Sequence, residues 1–299
     1  MLCKNSCTQT PTTLCSTFLK ADTILIMAAF NGGGAAAAAA ADSGRQLSLK
    51  DRVAIVTGGA GGIGSAVSAH LADLGARVVV GFFGDPSPAR KLVTAINAAH
   101  GGDKRAVAVE VDVSKADQVK ALFDAAADAF GPELHILVTA AAVLDYDFPF
   151  IAETSEESFD RMFSTNAKGS FLCCREAANR LVQGGGGRII TFSSSGVGSL
   201  RPGYGAYAAT KGAVEVMTKI LARELRGTGI TANAVAPGPT ATPMFYNGKT
   251  EADQASCVAE IPLGRLGQPE DVAPLVGFLA SDAGEWVNAQ IIRCNGGNI

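Results

Sequence analysis

A doubly wound α/β fold, one parallel sheet of about seven strands with helices on both faces, is what this 299-residue chain predicts. Two observations carry the prediction. From residue 49 onward short apolar runs alternate with longer helical segments, the pattern of strands joined by helical crossovers. The first apolar run leads directly into a glycine cluster that opens a helix. Apolar residues make up 47% of the chain, enough for a sizeable core.

Taken in order, Val-Ala-Ile-Val-Thr at 53–57 reads as the first strand, followed by the glycine turn and a helix to about Leu74. Residues 77–82 form the second strand and 86–99 a helix. Strand three, at 106–111, precedes a helix over 115–130. Strand four spans 134–139, with one long helix expected at 155–182. The fifth strand, 188–192, leads to a helix over 204–225. Strand six is 230–235. A looser stretch at 240–262 shows little periodicity, and a helix at 269–280 and a last strand at 290–293 close the pattern. Right-handed crossovers between parallel strands place helices on both faces. Ligands on such sheets bind beyond the carboxyl ends of the strands, where strand order reverses.

Residues 1–46 read as a disordered leader and linker ahead of a single domain at 47–299. The first twenty-odd residues are rich in Ser and Thr, with Lys4 and Lys20 and no acid before Asp22. Two readings stay open: an organelle transit peptide, or an upstream extension before a true start at Met27. Asn31-Gly32-Gly33-Gly34 and the seven alanines from Ala35 to Ala41 are low-complexity linker.

Composition removes several functions. A net charge of −3 offers no basic footprint for nucleic acid. No apolar run approaches the ~20 residues of a membrane span. Seven scattered cysteines without framework spacing argue for reduced thiols inside the cell. His70, His100 and His135 show no zinc spacing and read as surface or boundary residues, so no metal site is expected. The expected location is the cytoplasm, or the chloroplast if the N-terminal stretch is a transit peptide.

Two stretches carry chemistry. In Thr57-Gly58-Gly59-Ala60-Gly61-Gly62-Ile63-Gly64, glycines let the backbone approach a pyrophosphate. The helix that follows presents free N–H groups and a positive dipole end to the phosphates. In Tyr207-Ala208-Ala209-Thr210-Lys211, a spacing of four puts the phenol and the ammonium on one helix face. At ~5 Å and an effective dielectric near 20, their attraction of roughly 3 kcal/mol would lower the phenol pKa by about two units. That brings a tyrosine into range for proton transfer near neutral pH. Alone, such a pair recurs on many amphipathic helices.

Together these motifs resemble the short-chain dehydrogenase/reductase superfamily: Thr-Gly-x-x-x-Gly-x-Gly after the first strand, then Tyr-x-x-x-Lys about 150 residues later. The resemblance covers residues 49–299. Ser194 stands thirteen residues before Tyr207, and Asn166 lies in Asn166-Ala167-Lys168-Gly169, both at family positions. Pro237-Gly238-Pro239-Thr240-Ala241-Thr242, Phe278-Leu279-Ala280-Ser281-Asp282 and Asn295-Gly296-Gly297 are similar to further family motifs. Within the superfamily the chain is most similar to plant NADPH-dependent aldehyde reductase-like proteins. Arg175-Glu176-Ala177-Ala178-Asn179-Arg180-Leu181 and Ala280-Ser281-Asp282-Ala283-Gly284-Glu285-Trp286 carry that likeness.

The resemblance implies a Rossmann-type fold and an enzyme that reduces an aldehyde or ketone by hydride transfer from NADPH. It gives catalytic roles to Asn166, Ser194, Tyr207 and Lys211. Tyr207 would donate a proton to the carbonyl oxygen, and Lys211 would depress the Tyr207 pKa and hold the nicotinamide ribose. Ser194 would bond the carbonyl oxygen, with Ser195 an alternative, and Asn166 would hold a water leading from Lys211 to solvent. An alternative for Asn166 is a cap or a bond to backbone. Cofactor contacts are expected from Gly58, Gly62, Ile63, Gly64, Phe82, Asp112, Val113, Ala140, Tyr207, Lys211, Pro237, Gly238, Thr240 and Thr242. For Asp112 a plain strand-end turn is an equal reading. The 240–262 stretch would be a substrate lid with Met244, Phe245 and Tyr246 as its apolar inner face. Val143, Leu144, Leu200 and Tyr204 would extend the wall around a small, fairly hydrophobic carbonyl substrate. Family members commonly form tetramers, so a homo-oligomer is expected, packed through the two long helices.

Two departures stand out. Thr139-Ala140-Ala141-Ala142 replaces the family's Asn-Asn-Ala-Gly, which shortens a side chain and removes a glycine suited to positive φ. At the end of strand two, Phe82 and Phe83 stand where NAD users place an acid. That favours NADP(H) over NAD(H). The alternatives are an NAD-dependent alcohol or polyol dehydrogenase and, from another class, a non-catalytic dinucleotide-binding sensor or scaffold.

Overall fold

The computed structural model describes residues 47–299. The leader and linker expected at 1–46 lie outside the described residues. Seven strands form one fully parallel sheet: β1 (Val53–Thr57), β2 (Arg77–Phe82), β3 (Ala106–Glu110), β4 (Ile136–Thr139), β5 (Arg188–Phe192), β6 (Thr231–Pro237) and β7 (Ile291–Cys294). Their order is β3-β2-β1-β4-β5-β6-β7, the doubly wound arrangement that the alternating pattern predicts. Strand order reverses between β1 and β4, where Thr57 pairs with Thr139 at the carboxyl edge.

The crossover helices are α1 (Gly62–Asp73), α2 (Ser87–Ala99), α3 (Ala116–Phe130), α4 (Glu156–Met162), α5 (Gly169–Arg180), α6 (Gly196–Ser199), α7 (Gly205–Glu224), α8 (Pro243–Tyr246), α9 (Glu251–Ala259) and α10 (Pro269–Ala280). Period-two alternation along each strand divides the core into two layers. Ala54 and Val56 of β1 pack with Val67 and Leu71 of α1 and with Val272 and Val276 of α10. Val53 and Ile55 face the other way, toward Val119, Leu122 and Phe123 of α3 and Leu172 of α5. Every residue of β1 and β5 is buried, since helices cover both faces of the sheet there. Arg188, at the amino end of β5, is fully buried and donates to Gly185 O, Gly187 O and Asp282. Arg52 shares that carboxylate, tying the sheet's lower edge to the end of α10.

Two expectations are corrected. The single helix expected at 155–182 is two helices joined by a π turn at Phe163–Lys168, which carries Asn166. It starts one residue late because Ser155 is the N-cap, its Oγ accepting from Ser158 N. The stretch at 240–262 holds two short helices, α8 and α9. Thr242 caps the first, and a reciprocal Thr250–Asp253 capping box starts the second. The four-residue α6, containing two glycines, has no periodic signature. Other boundaries shift by one or two residues, by two at the start of β4 and at the end of β6, which continues to Pro237.

Candidate active site

Above the carboxyl edge of the sheet lies a cavity of about 930 Å³ that runs from the glycine turn past Tyr207 to the α8–α9 segment. The glycine turn forms one end. Gly58 takes φ +64° and abuts β4's loop so closely that an added Cβ would fall 2.7 Å from the Ala141 backbone. At Gly64 a Cβ would overlap the Gly58 carbonyl. The N-cap of α1 is Gly61, and no side chain caps the helix. The first-turn N–H groups, at Gly62, Ile63 and Gly64, therefore stand beside the cavity without a side-chain acceptor. These residues fit a dinucleotide: helix-terminal donors for a pyrophosphate, and side-chain-free backbone to let it approach.

All of the expected cofactor positions line this cavity. Phe82 and Asp112, with Val113, come from the ends of β2 and β3, and Ala140 from β4. Pro237, Gly238, Thr240 and Thr242 come from the segment after β6. Asp112 also accepts the Ser114 N–H, so it makes the strand-end turn as well as the wall. Of the Thr139-Ala140-Ala141-Ala142 departure, Ala142 does not adopt positive φ, so the missing glycine causes no strain there. Thr139 is different: its buried Oγ1 has no hydrogen-bond partner among the described residues, and neither has Thr57 Oγ1 on the paired strand.

Tyr207 sits in the first turn of α7 and Lys211 one turn on, both lining the cavity with Ser194. The three neighbouring serines separate by partner. Ser193 donates to Glu215 Oε1 at 2.7 Å and Ser195 to Ala236 O at 3.3 Å. Ser194 Oγ accepts from Gly196 N and lines the cavity with the Tyr207 phenol, whose pKa it draws down. That leaves Ser194 as the serine beside the phenol. Lys211 Nζ donates to Phe192 O at 2.8 Å and lies 5.8 Å from the Tyr207 ring centroid.

Electrostatics here differ from the sequence expectation. Burial pushes the Tyr207 phenol up to about 12, against a smaller opposing pull from the Ser194 hydroxyl. Burial also brings Lys211 down to about 8. Both shifts favour the neutral form, because burial is the largest cause for each group. Tyr207 is therefore held as a protonated phenol, the form that can donate.

Asn166 does not line the cavity. It is fully buried behind it, with Oδ1 accepting from Val143 N at 2.8 Å and Nδ2 donating to Val143 O and Thr210 Oγ1. Thr210 in turn donates to the Tyr207 carbonyl. The bond to backbone, one of the two readings of Asn166, is what this geometry contains.

At the substrate end, Val143, Leu144, Tyr204, Met244 and Phe245 line the wall as expected. Tyr246 and Leu200 do not: both point to solvent, and Leu200 is held in a left-handed conformation at the end of α6. Sequence reasoning missed Asp85, Arg201 and Lys249, which also line the cavity. Asp85 lies about twenty residues beyond the glycine turn, the usual place for a ribose-binding acid, which is a signal that could have found it. Arg201 and Lys249 sit in loops with no pattern to mark them. Among the described residues, no group of His, Cys, Asp and Glu is placed to hold a metal.

Comparison with known proteins agrees with this architecture. Residues 58–298 match a family model described as enoyl-(acyl carrier protein) reductase. A chloroplastic NADPH-dependent aldehyde reductase-like protein of Arabidopsis thaliana is 56% identical over 259 residues, covering 85% of this chain and 96% of the relative. The chloroplastic NADPH-dependent aldehyde reductase 2 of the same plant is 51% identical, covering 84% of this chain and 95% of its own. Among solved structures, a dehydrogenase/reductase from Sinorhizobium meliloti superposes with a TM-score of 0.77 at 34% identity, covering 84% of this chain and 96% of that one.

Proposed function

Because the chain belongs to the short-chain dehydrogenase/reductase family, we propose that it reduces an aldehyde or ketone, with NADPH as hydride donor and Tyr207 as proton donor. The observation that carries the reading is the convergence of Tyr207, Ser194 and Lys211 on one cavity with an uncapped glycine turn. When bound, the reduced nicotinamide supplies the hydride. The substrate carbon gains that hydride, and its oxygen takes the phenolic proton from Tyr207. Ser194 hydrogen-bonds the same oxygen and steadies the charge that develops on it. Lys211, buried beside the ring, stabilises the phenolate left behind until solvent returns the proton. Asn166 acts as a positioning residue, fixing Val143 on one side and, through Thr210, the main chain of Tyr207 on the other.

NADPH rather than NADH is supported by the names of the two Arabidopsis relatives and by Phe82 and Phe83 at the end of β2. Asp85 supports the second reading, an NAD-dependent alcohol dehydrogenase, since a carboxylate there would repel a 2′-phosphate. Dissociation constants for NADPH and NADH on purified protein decide between them. We also infer a chloroplast location, from the relatives' names and the Ser/Thr-rich start, and a homotetramer.

The central test is NADPH oxidation against a panel of aldehydes and ketones with Tyr207→Phe as control. The variant should bind NADPH normally and lose about 10²–10⁴-fold in kcat. Unchanged turnover would remove Tyr207 as proton donor, and a wild type inert on every carbonyl would favour the sensor or scaffold reading.

A further inference from the structure

The substrate end of the cavity contains a cation that has no ion-pair partner among the described residues. Lys249, in the turn between α8 and α9, is half-buried and lines the cavity. Its Nζ lies 4.3 Å from the Phe148 ring centroid, 5.0 Å from Phe245 and 5.8 Å from Tyr204. Those ring faces attract the ammonium but cannot accept its three N–H donors as oxygen atoms would. No described carboxylate forms an ion pair with it. The charges nearest it are Arg201, which pairs with Glu260, and Asp253, which attracts Lys249 from beyond ion-pair distance while its Oδ2 takes the Thr250 N–H and hydroxyl of the capping box. A partly desolvated ammonium left in this state is costly unless an anion reaches it.

The same aromatic group connects this cation to the proton donor. The Tyr204 ring, 5.8 Å from Lys249 Nζ, stands edge-on to Tyr207 with 6.4 Å between ring centroids. A carbonyl compound seated at Tyr207 thus passes along Tyr204 before it meets Lys249. We propose that Lys249 recognises a carboxylate on the substrate, so that the preferred substrates are aldehydes or ketones carrying a carboxylate several bonds from the carbonyl. This rests on the reductase reading above. One unpaired cation beside Arg201, whose charge Glu260 takes up, matches a monoanion. The surrounding Phe245, Tyr204 and Met244 match the apolar spacer between the two polar ends.

The test compares kcat/KM for matched pairs, 6-oxohexanoate against hexanal and 4-formylbenzoate against benzaldehyde, at low salt with saturating NADPH. The wild type should favour each carboxylate by about tenfold or more, chiefly through KM, because a charge-assisted hydrogen bond is gained. In Lys249→Met, which keeps the apolar stem against the rings, the ratio should fall to near unity, and Lys249→Arg should restore it. Equal kcat/KM within the pairs in the wild type overturns the inference while leaving the reductase reading standing. A preference that survives in Lys249→Met overturns it too. Failure of the wild type to reduce any member of either pair removes the reductase reading and this inference with it.

Discussion

Lys211 is an ammonium almost fully buried on a single acceptor, the Phe192 carbonyl, and its pKa near 8 records what that burial costs. In the unfolded chain a lysine titrates near 10.5. Below pH 8 both states are protonated, and the folded state bears the whole penalty of about 3 kcal/mol, an order-of-magnitude figure from the shift. Between pH 8 and 10.5 the folded form releases its proton first, and the penalty fades as pH rises. Lys211→Met should therefore stabilise the cofactor-free protein by about 1–3 kcal/mol at pH 7, the lower end allowing for the lost hydrogen bond. The gain should vanish toward pH 10.5, and turnover should be lost throughout. Thermal melts of both proteins at pH 7 and pH 10 check the sign. A variant less stable than wild type at pH 7 would show that Lys211 contributes to the fold. Stability given up for function is common at sites of this kind.

At the scale of elements, the site depends on a π turn and a glycine turn that hold two loops in place. Asn166, in the π turn, is bonded to both main-chain groups of Val143 and to Thr210. Asn166→Ala removes the partner of both Val143 main-chain groups and one of the two hydrogen bonds of Thr210 Oγ1, so unfolding free energy should drop by about 2–4 kcal/mol. The loss should appear in urea melts as a lower midpoint at unchanged slope. No fall in midpoint would mean that solvent replaces those bonds. The glycine turn was legible in sequence because its chemistry is local: strand, glycines and helix adjoin in the chain. Tyr207 and Lys211 were legible as a spacing, and their chemistry was not. The expected lowering of the phenol pKa came from pair attraction alone, and burial, which no local pattern reports, reversed its sign. The π turn was hidden because one extra residue per turn scarcely disturbs a helical pattern. Arg201 and Lys249 belong to loops brought to the cavity by the sheet, so only tertiary structure assigns them a place.

Among the described residues, the outer sides of α5 and α7 leave an apolar surface uncovered. Inside, the sheet is sandwiched by α1 and α10 on one face and by α3, α5 and α7 on the other. The outer sides of α5 and α7 carry Phe171, Val216 and Ile220, each about half exposed. Between the two helices runs a groove of about 320 Å³, lined by Cys174, Met217 and Leu221 among others. A contiguous patch of this type on a soluble protein marks an interface. Two such faces related by a two-fold axis would each cover the other, because the same residues meet their own copies. The homotetramer proposed above would use this face, and light scattering on a sizing column tests it. The wild type should run at several times the 30.5 kDa of a single chain. Ile220→Glu should reduce that mass to that of dimers or monomers, since pairing would bury two like charges against each other across the axis. Ile220→Ala serves as the control, removing apolar area without a charge, and should keep the assembly while weakening it on dilution. A wild type that elutes as a monomer at micromolar concentration would show instead that this face stays open to water.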